Sequence, residues 1–158
     1  MRIYVASSWR NTRQPAVVAA LRAVGHVVYD FRHPARDDHG FHWSEIDPRW
    51  QKWTSAQFRD AINRPVAVDE FTKDMEALDT ADAVVLVIPC GRSAHLELGY
   101  AIGRDARSAI LLEDGEPELM YRMADALCLT IDDVVAWAAT IAEPSATSAP
   151  QRRTAVNP

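Results

Sequence analysis

The sequence predicts a doubly wound α/β fold, a parallel sheet of about five strands in a single domain, and three observations carry that expectation. Short apolar, β-branched runs alternate with segments of helical periodicity. The run Ala83-Val84-Val85-Leu86-Val87-Ile88 is uninterrupted, as in a parallel strand covered on both faces. The chain has 158 residues, 48% of them hydrophobic and 25% charged, enough for one core and a built site but not for two independent domains. Such alternation implies right-handed crossovers, and ligands then bind outside the carboxyl ends of the strands where strand order reverses.

Residues 2–6 form the first strand, closed by Ser7-Ser8-Trp9-Arg10-Asn11. Apolar residues then recur at helical spacing over 15–24, until Gly25 stops the helix. Residues 26–31 read as a second strand, and 32–47, rich in Pro, Asp, Gly and His, as loop. Residues 41–64 carry Trp43, Trp50 and Trp53 and a short helical pattern over 55–62, and read as an insertion between core units. Pro65 suits the first turn of a helix reaching residue 79, whose apolar stripe is Ala67, Phe71, Met75 and Leu78. After the central strand, Pro89-Cys90-Gly91-Arg92 makes a turn and Ser93 is placed to cap a helix running to Gly103. Strands over 108–112 and 127–131 and a helix over 132–141 complete a domain spanning 1–142. Residues 143–158 have linker composition and are expected to be a disordered tail.

The net charge of −5, without a basic block, gives no footprint for a nucleic-acid polymer, although single nucleosides or nucleotides remain open as partners. Cys90 and Cys128 have neither the density nor the spacing of a disulfide framework or a zinc site, so both are expected to be reduced. No stretch approaches the ~18 apolar residues of a membrane span, and the chain opens on a strand rather than a leader. No membrane association and a cytoplasmic location are the expectations.

On the helix after Ser93, Ala94, Leu98 and Ala101 form one apolar stripe, and Glu97 falls inside it. On the helix before the central strand, Asp74 lies between Phe71, Met75 and Leu78. A carboxylate on a sheet-facing side is costly to desolvate unless partners or chemistry justify it. Each could be a cap or an ion-pair partner; together they could be a paired-carboxylate site in which one group attacks and the other orients or shuttles a proton. Three sharper motifs fail on spacing. Gly91-Arg92-Ser93-Ala94-His95 lacks the second glycine of a nucleophile elbow, and no histidine follows to complete a triad. A cysteine-phosphatase loop starting at Cys90 would need arginine where Leu96 stands. His33, His39 and His42 are irregularly spaced, so no metal is assigned. The loops at Ser7, Ser8 and Trp9 and at Gly91 and Ser93 are the expected substrate-binding edges, with Trp9 able to stack on a base.

Residues 3–14 (IYVASSWRNTRQ), 74–85 (DMEALDTADAVV) and 93–103 (SAHLELGYAIG), with weaker support from 117–120 (PELM), carry a resemblance. At these residues the sequence resembles the nucleoside 2-deoxyribosyltransferase family and the related deoxynucleotide N-glycosidases, whose fold is a Rossmann-like, doubly wound sheet. The resemblance implies that Glu97 is the nucleophile, that Asp74 positions sugar and base, and that Trp9 lines the base pocket. It implies cleavage or transfer of the N-glycosidic bond of 2′-deoxynucleosides through a glycosyl-Glu97 intermediate, passed to another base or to water, with no cofactor. A position near a helix N-terminus would help keep Glu97 ionised. Glu118, beside Met120, stands where the nucleoside enzymes commonly place an asparagine reaching a neighbouring subunit's sugar, and a carboxylate there favours nucleosides over monophosphates. A homo-oligomer, dimer or higher, is the family expectation. The alternatives are a nucleotide- or NAD-type N-glycosidase on the same site, or a catalytically silent nucleotide-binding module.

Overall fold

The structure is a computed structural model and describes residues 1–35, 37–114 and 117–142. Five parallel strands, β1 (Arg2–Ala6), β2 (Val27–Tyr29), β3 (Ala83–Val87), β4 (Arg107–Leu111) and β5 (Ala126–Cys128), lie side by side in the order β2-β1-β3-β4-β5. The expected doubly wound sheet is thus present. Chain order reverses between β1 and β3, whose registers pair Ile3 with Ala83 and Ala6 with Leu86, so the carboxyl ends of these two strands finish together. This is where such a sheet opens a crevice.

Strand periodicity sorts the core into two layers. Ile3, Val5, Ala83, Val85 and Val87 face one side, with Val17, Val18 and Leu21 of α1 (Gln14–Ala23) and Val134 and Ala138 of α5 (Ile131–Ala142). Tyr4, Ala6, Val84 and Leu86 face the other, against Leu78 of α3 (Pro65–Thr80) and Ala94, Leu98 and Ala101 of α4 (Arg92–Gly103). Burying a side chain such as Leu86 or Ile110 completely stabilises by about 1.5–3 kcal/mol.

Several boundaries differ from expectation. The last strand stops at Cys128, because Thr130 and Asp133 cap α5: the Asp133 carboxylate accepts from the amides of Leu129 and Thr130, and Thr130 Oγ1 accepts from Asp133 N. Ile131 therefore starts the helix. Gly91, not Ser93, is the N-cap of α4 and Ser93 is its second residue. Phe71 is 64% exposed and leaves the expected stripe, while Ala67 and Leu78 are buried. The insertion holds short turns of 3-10 helix at Trp43–Glu45 and Trp50–Lys52 and the helix α2 (Ser55–Ala61), between β2 and α3. Residues 143–158 lie outside the described residues.

Candidate active site

The loop after β1 is bound to the loop after β3 by side chains that the first loop supplies. Ser7 Oγ donates to the Val87 carbonyl at 2.8 Å. Buried Asn11 donates through Nδ2 to the carbonyls of Val87 (3.2 Å) and Pro89 (3.0 Å), while its Oδ1 accepts from the amides of Arg13 and Gln14 at the start of α1. One side chain thus serves helix entry and fastens both edges of the crevice. Arg32, just after β2, grips the same loop from outside: its Nη2 donates to the carbonyls of Ser8, Trp9 and Asn11 at 2.7–3.1 Å. The Trp9 ring is then braced on several sides. Phe31 meets it edge-on at 5.4 Å, His42 lies 3.9 Å away between ring centroids, and the Arg32 guanidinium sits 5.8 Å from its centroid. Gly40 permits this approach. It has φ +66°, and a Cβ there would overlap the Phe31 carbonyl oxygen and press on the Trp9 ring.

Between these loops lies a cavity of about 240 Å³ lined by Ser7, Ser8, Trp9, Phe31, Phe41, Glu70, Asp74, Gly91, Ser93 and Glu97. Glu97 retains slight exposure toward the cavity and is otherwise enclosed, and its carboxyl is pushed up to about 8, by burial first and by the charge of Asp74 second. The Tyr4 hydroxyl beneath it pulls weakly the other way, its geometry falling short of a formed hydrogen bond. Asp74 is also raised by burial, opposed by Tyr29, whose hydroxyl donates to Asp74 Oδ1 at 2.8 Å. Glu97 is in the second turn of α4, beyond the first turn over which the helix-terminal dipole chiefly acts, so that dipole opposes the effect of burial only weakly. Burial and the neighbouring carboxyl charge thus both favour the protonated form of Glu97, and burial does the same for Asp74.

Of the residues singled out from sequence, Ser7, Ser8, Trp9, Asp74, Gly91, Ser93 and Glu97 meet in this one cavity. Glu118 and Met120 do not. Glu118 caps the turn Leu119–Met123 through the Met120 amide and borders a separate hollow with Cys90, His95 and Tyr121. His95 is exposed there, its ring nitrogens 3.0 Å from the Gly91 carbonyl and from Tyr121 Oη. Burial pushes the Cys90 thiol up to about 11, which makes it a poor nucleophile. Phe31, Phe41 and Glu70 were not anticipated, although Glu70 lies one helical turn before Asp74 and so shares its face. Among the described residues, no group of three His, Cys, Asp or Glu could hold a metal ion and no helix is long and apolar enough to cross a membrane.

Fold and cavity together define a doubly wound α/β chain with three carboxyl groups, Glu70, Asp74 and Glu97, gathered at its topological switch point. No protein-family model matches the sequence, and no curated protein does. Among solved structures the chain is similar to a 2-deoxyribosyltransferase from the psychrotolerant bacterium Bacillus psychrosaccharolyticus, with a TM-score of 0.52 and 21% identity over 85% of this chain and 90% of that one. A CMP N-glycosidase of Clostridium botulinum, BcmB, also matches, with a TM-score of 0.49 and 13% identity over 88% of this chain and 99% of that one. The first of these likenesses establishes a shared fold.

Proposed function

We propose that this chain is an enzyme that breaks the N-glycosidic bond of 2′-deoxynucleosides, with Glu97 as nucleophile and Asp74 as its positioning and proton-transfer partner, and passes the sugar to another base or to water. The observation that supports this most is the meeting of two carboxyl groups from different helices in one cavity walled by Trp9, Phe31 and Phe41. Aromatic walls suit a planar base, with stacking worth about 1–3 kcal/mol, and neighbouring carboxyl groups suit an oxocarbenium-like transition state. The resemblance at residues 3–14, 74–85 and 93–103 points the same way, as does the activity of the Bacillus protein that shares the fold.

The raised Glu97 fits this chemistry. Forming a glycosyl ester from a carboxylic acid and a nucleoside releases the base with one added proton, which is the proton Glu97 gives up. As C1′ leaves the base nitrogen, Asp74 relays that proton to the base and the Glu97 oxygen closes on C1′. A second base or a water then attacks from the opposite face, returning the proton to the pair and retaining the configuration at C1′. Partial desolvation makes the ionised Glu97 a stronger nucleophile than a hydrated carboxylate at the moment of attack.

The test is chromatographic. Wild type and Glu97→Gln are incubated with deoxynucleosides, ribonucleosides, monophosphates and NAD, each with and without a second free base. A new nucleoside formed only with the acceptor, and absent in the variant, establishes transfer; free base without exchange establishes hydrolysis. A sugar adduct on the Glu97 peptide, found by mass spectrometry after acid quench, tests the covalent step. No turnover of any substrate on the panel would overturn the reading in favour of a binding module.

A further inference from the structure

Beside the two carboxyl groups assigned to the reaction, the cavity has a third that the mechanism leaves unused. Glu70, four residues before Asp74 on α3, lines the same space as Trp9, Phe31 and Phe41. Its side chain is only 18% exposed, so it is not a solvated surface group. Lys73 holds it in place, with Nζ 2.5 Å from Glu70 Oε1 and 2.9 Å from Asp38 Oδ2. That bridge has two consequences. It engages one carboxylate oxygen and leaves Oε2 as a hydrogen-bond acceptor, and it ties the 32–47 loop, which bears Phe41, to the helix that bears Glu70. Among the described residues, no lysine or arginine lines the cavity, and Lys73 meets Glu70 from the adjoining hollow that both border.

An ionised carboxylate is an acceptor only. Among aromatic walls that take a base by its faces, such a group can address only the base's edge. There it rewards an N–H donor and repels a carbonyl oxygen, because a buried acceptor facing an acceptor leaves both unpaired. Cytosine and adenine present an exocyclic amine where uracil and hypoxanthine present a carbonyl. We propose that Glu70 is a specificity-determining residue that reads the base edge and selects amino-bearing bases, cytosine or adenine, over their keto counterparts. This rests on the reading of the cavity as a nucleoside site.

The experiment compares matched pairs that differ at that one group, deoxycytidine with deoxyuridine and deoxyadenosine with deoxyinosine, in wild type, Glu70→Gln and Glu70→Ala. Wild type should favour at least one amino member by about tenfold or more in kcat/KM, since sites built around a hydrogen bond discriminate strongly against analogues lacking it. Glu70→Gln, whose amide can also donate, should flatten or invert the ratio, and Glu70→Ala should flatten it. An equal ratio in all three proteins, or a wild-type preference for the keto members, overturns the proposal. Equilibrium binding of the same nucleosides to Glu97→Gln and to the Glu70→Gln/Glu97→Gln double variant separates the two readings. A binding ratio that depends on Glu70 without turnover in the wild type upholds base reading and sinks the glycosyl chemistry. Turnover with a ratio indifferent to Glu70 sinks base reading alone, and neither binding nor turnover sinks both.

Discussion

Replacing the proposed nucleophile should make the protein more stable, by an amount that depends on pH in a specified way. Glu97 is raised from an ordinary 4.5 to about 8 by burial and by Asp74. Between those values the unfolded chain releases the proton and the folded chain keeps it, so the folded state binds more protons and stability falls as pH rises. At about 1.4 kcal/mol for each pH unit in that window, the loss approaches ~5 kcal/mol above pH 8. Solvent reaching the open cavity screens part of this, and about 2–5 kcal/mol is the expected range. Glutamine is close in size and never ionises. Glu97→Gln should therefore match wild type near pH 4, gain on it steadily from about pH 5 to 8, and level off beyond. For a chain of this length each kcal/mol moves Tm by about 2–4 °C, so a rise of roughly 5–15 °C is expected at pH 8.5. Calorimetric scans of both proteins across pH 4–9 measure it, alongside the loss of turnover. A difference in Tm that is independent of pH, or a variant less stable than wild type at pH 8.5, would refute the assignment of an enclosed, protonated Glu97.

Tyr29→Phe removes the hydroxyl that favours ionised Asp74, so Asp74 should titrate at higher pH, visible by carbon NMR of its carboxyl; an unmoved titration contradicts the hydrogen bond's role. Asn11→Ala strands the Pro89 carbonyl and the Arg13 and Gln14 amides and leaves the Val87 carbonyl to Ser7 alone, and should cost about 2–4 kcal/mol in urea unfolding. A cost below about 0.5 kcal/mol would show that the two loops hold together without it. Gly40→Ala forces a side chain into a left-handed backbone against Phe31, and should cost about 1–3 kcal/mol and shift tryptophan emission as Trp9 moves; a silent substitution would dismiss the bracing of that ring. Trp9→Ala should raise KM by roughly 5- to 100-fold with a smaller change in kcat, the signature of lost stacking, whereas a pure kcat effect would place Trp9 elsewhere in the reaction.

Local sequence determined a good deal. Period-two and period-3.6 patterns are backbone properties, so strands at 2–6 and 83–87 and helices at 65–80 and 92–103 were legible, and their alternation implied a parallel sheet with its crevice at the ends of β1 and β3. Glu97 and Asp74 stood out for the same reason, as carboxyl groups on faces that periodicity assigns to the core. What escaped is what depends on contacts between distant segments. Phe71 has the spacing of a core residue, yet the described residues leave it 64% exposed. The end of β5 was misplaced because a local cap at Thr130 and Asp133 outweighs the strand propensity of Leu129 and Ile131. Glu118, which the resemblance directs toward a neighbouring subunit's sugar, borders another hollow within its own chain. Phe31, Phe41 and Glu70 come together because the segment after β2 packs against the loop after β1 at Trp9, with Gly40 admitting a close approach that its neighbours in sequence do not announce. The raised titration of Glu97 and Asp74 depends on tertiary structure alone. A carboxyl group's titration follows from what surrounds it: Glu97 is raised by burial first and by Asp74, on another helix, second, and is lowered by Tyr4, 93 positions before it.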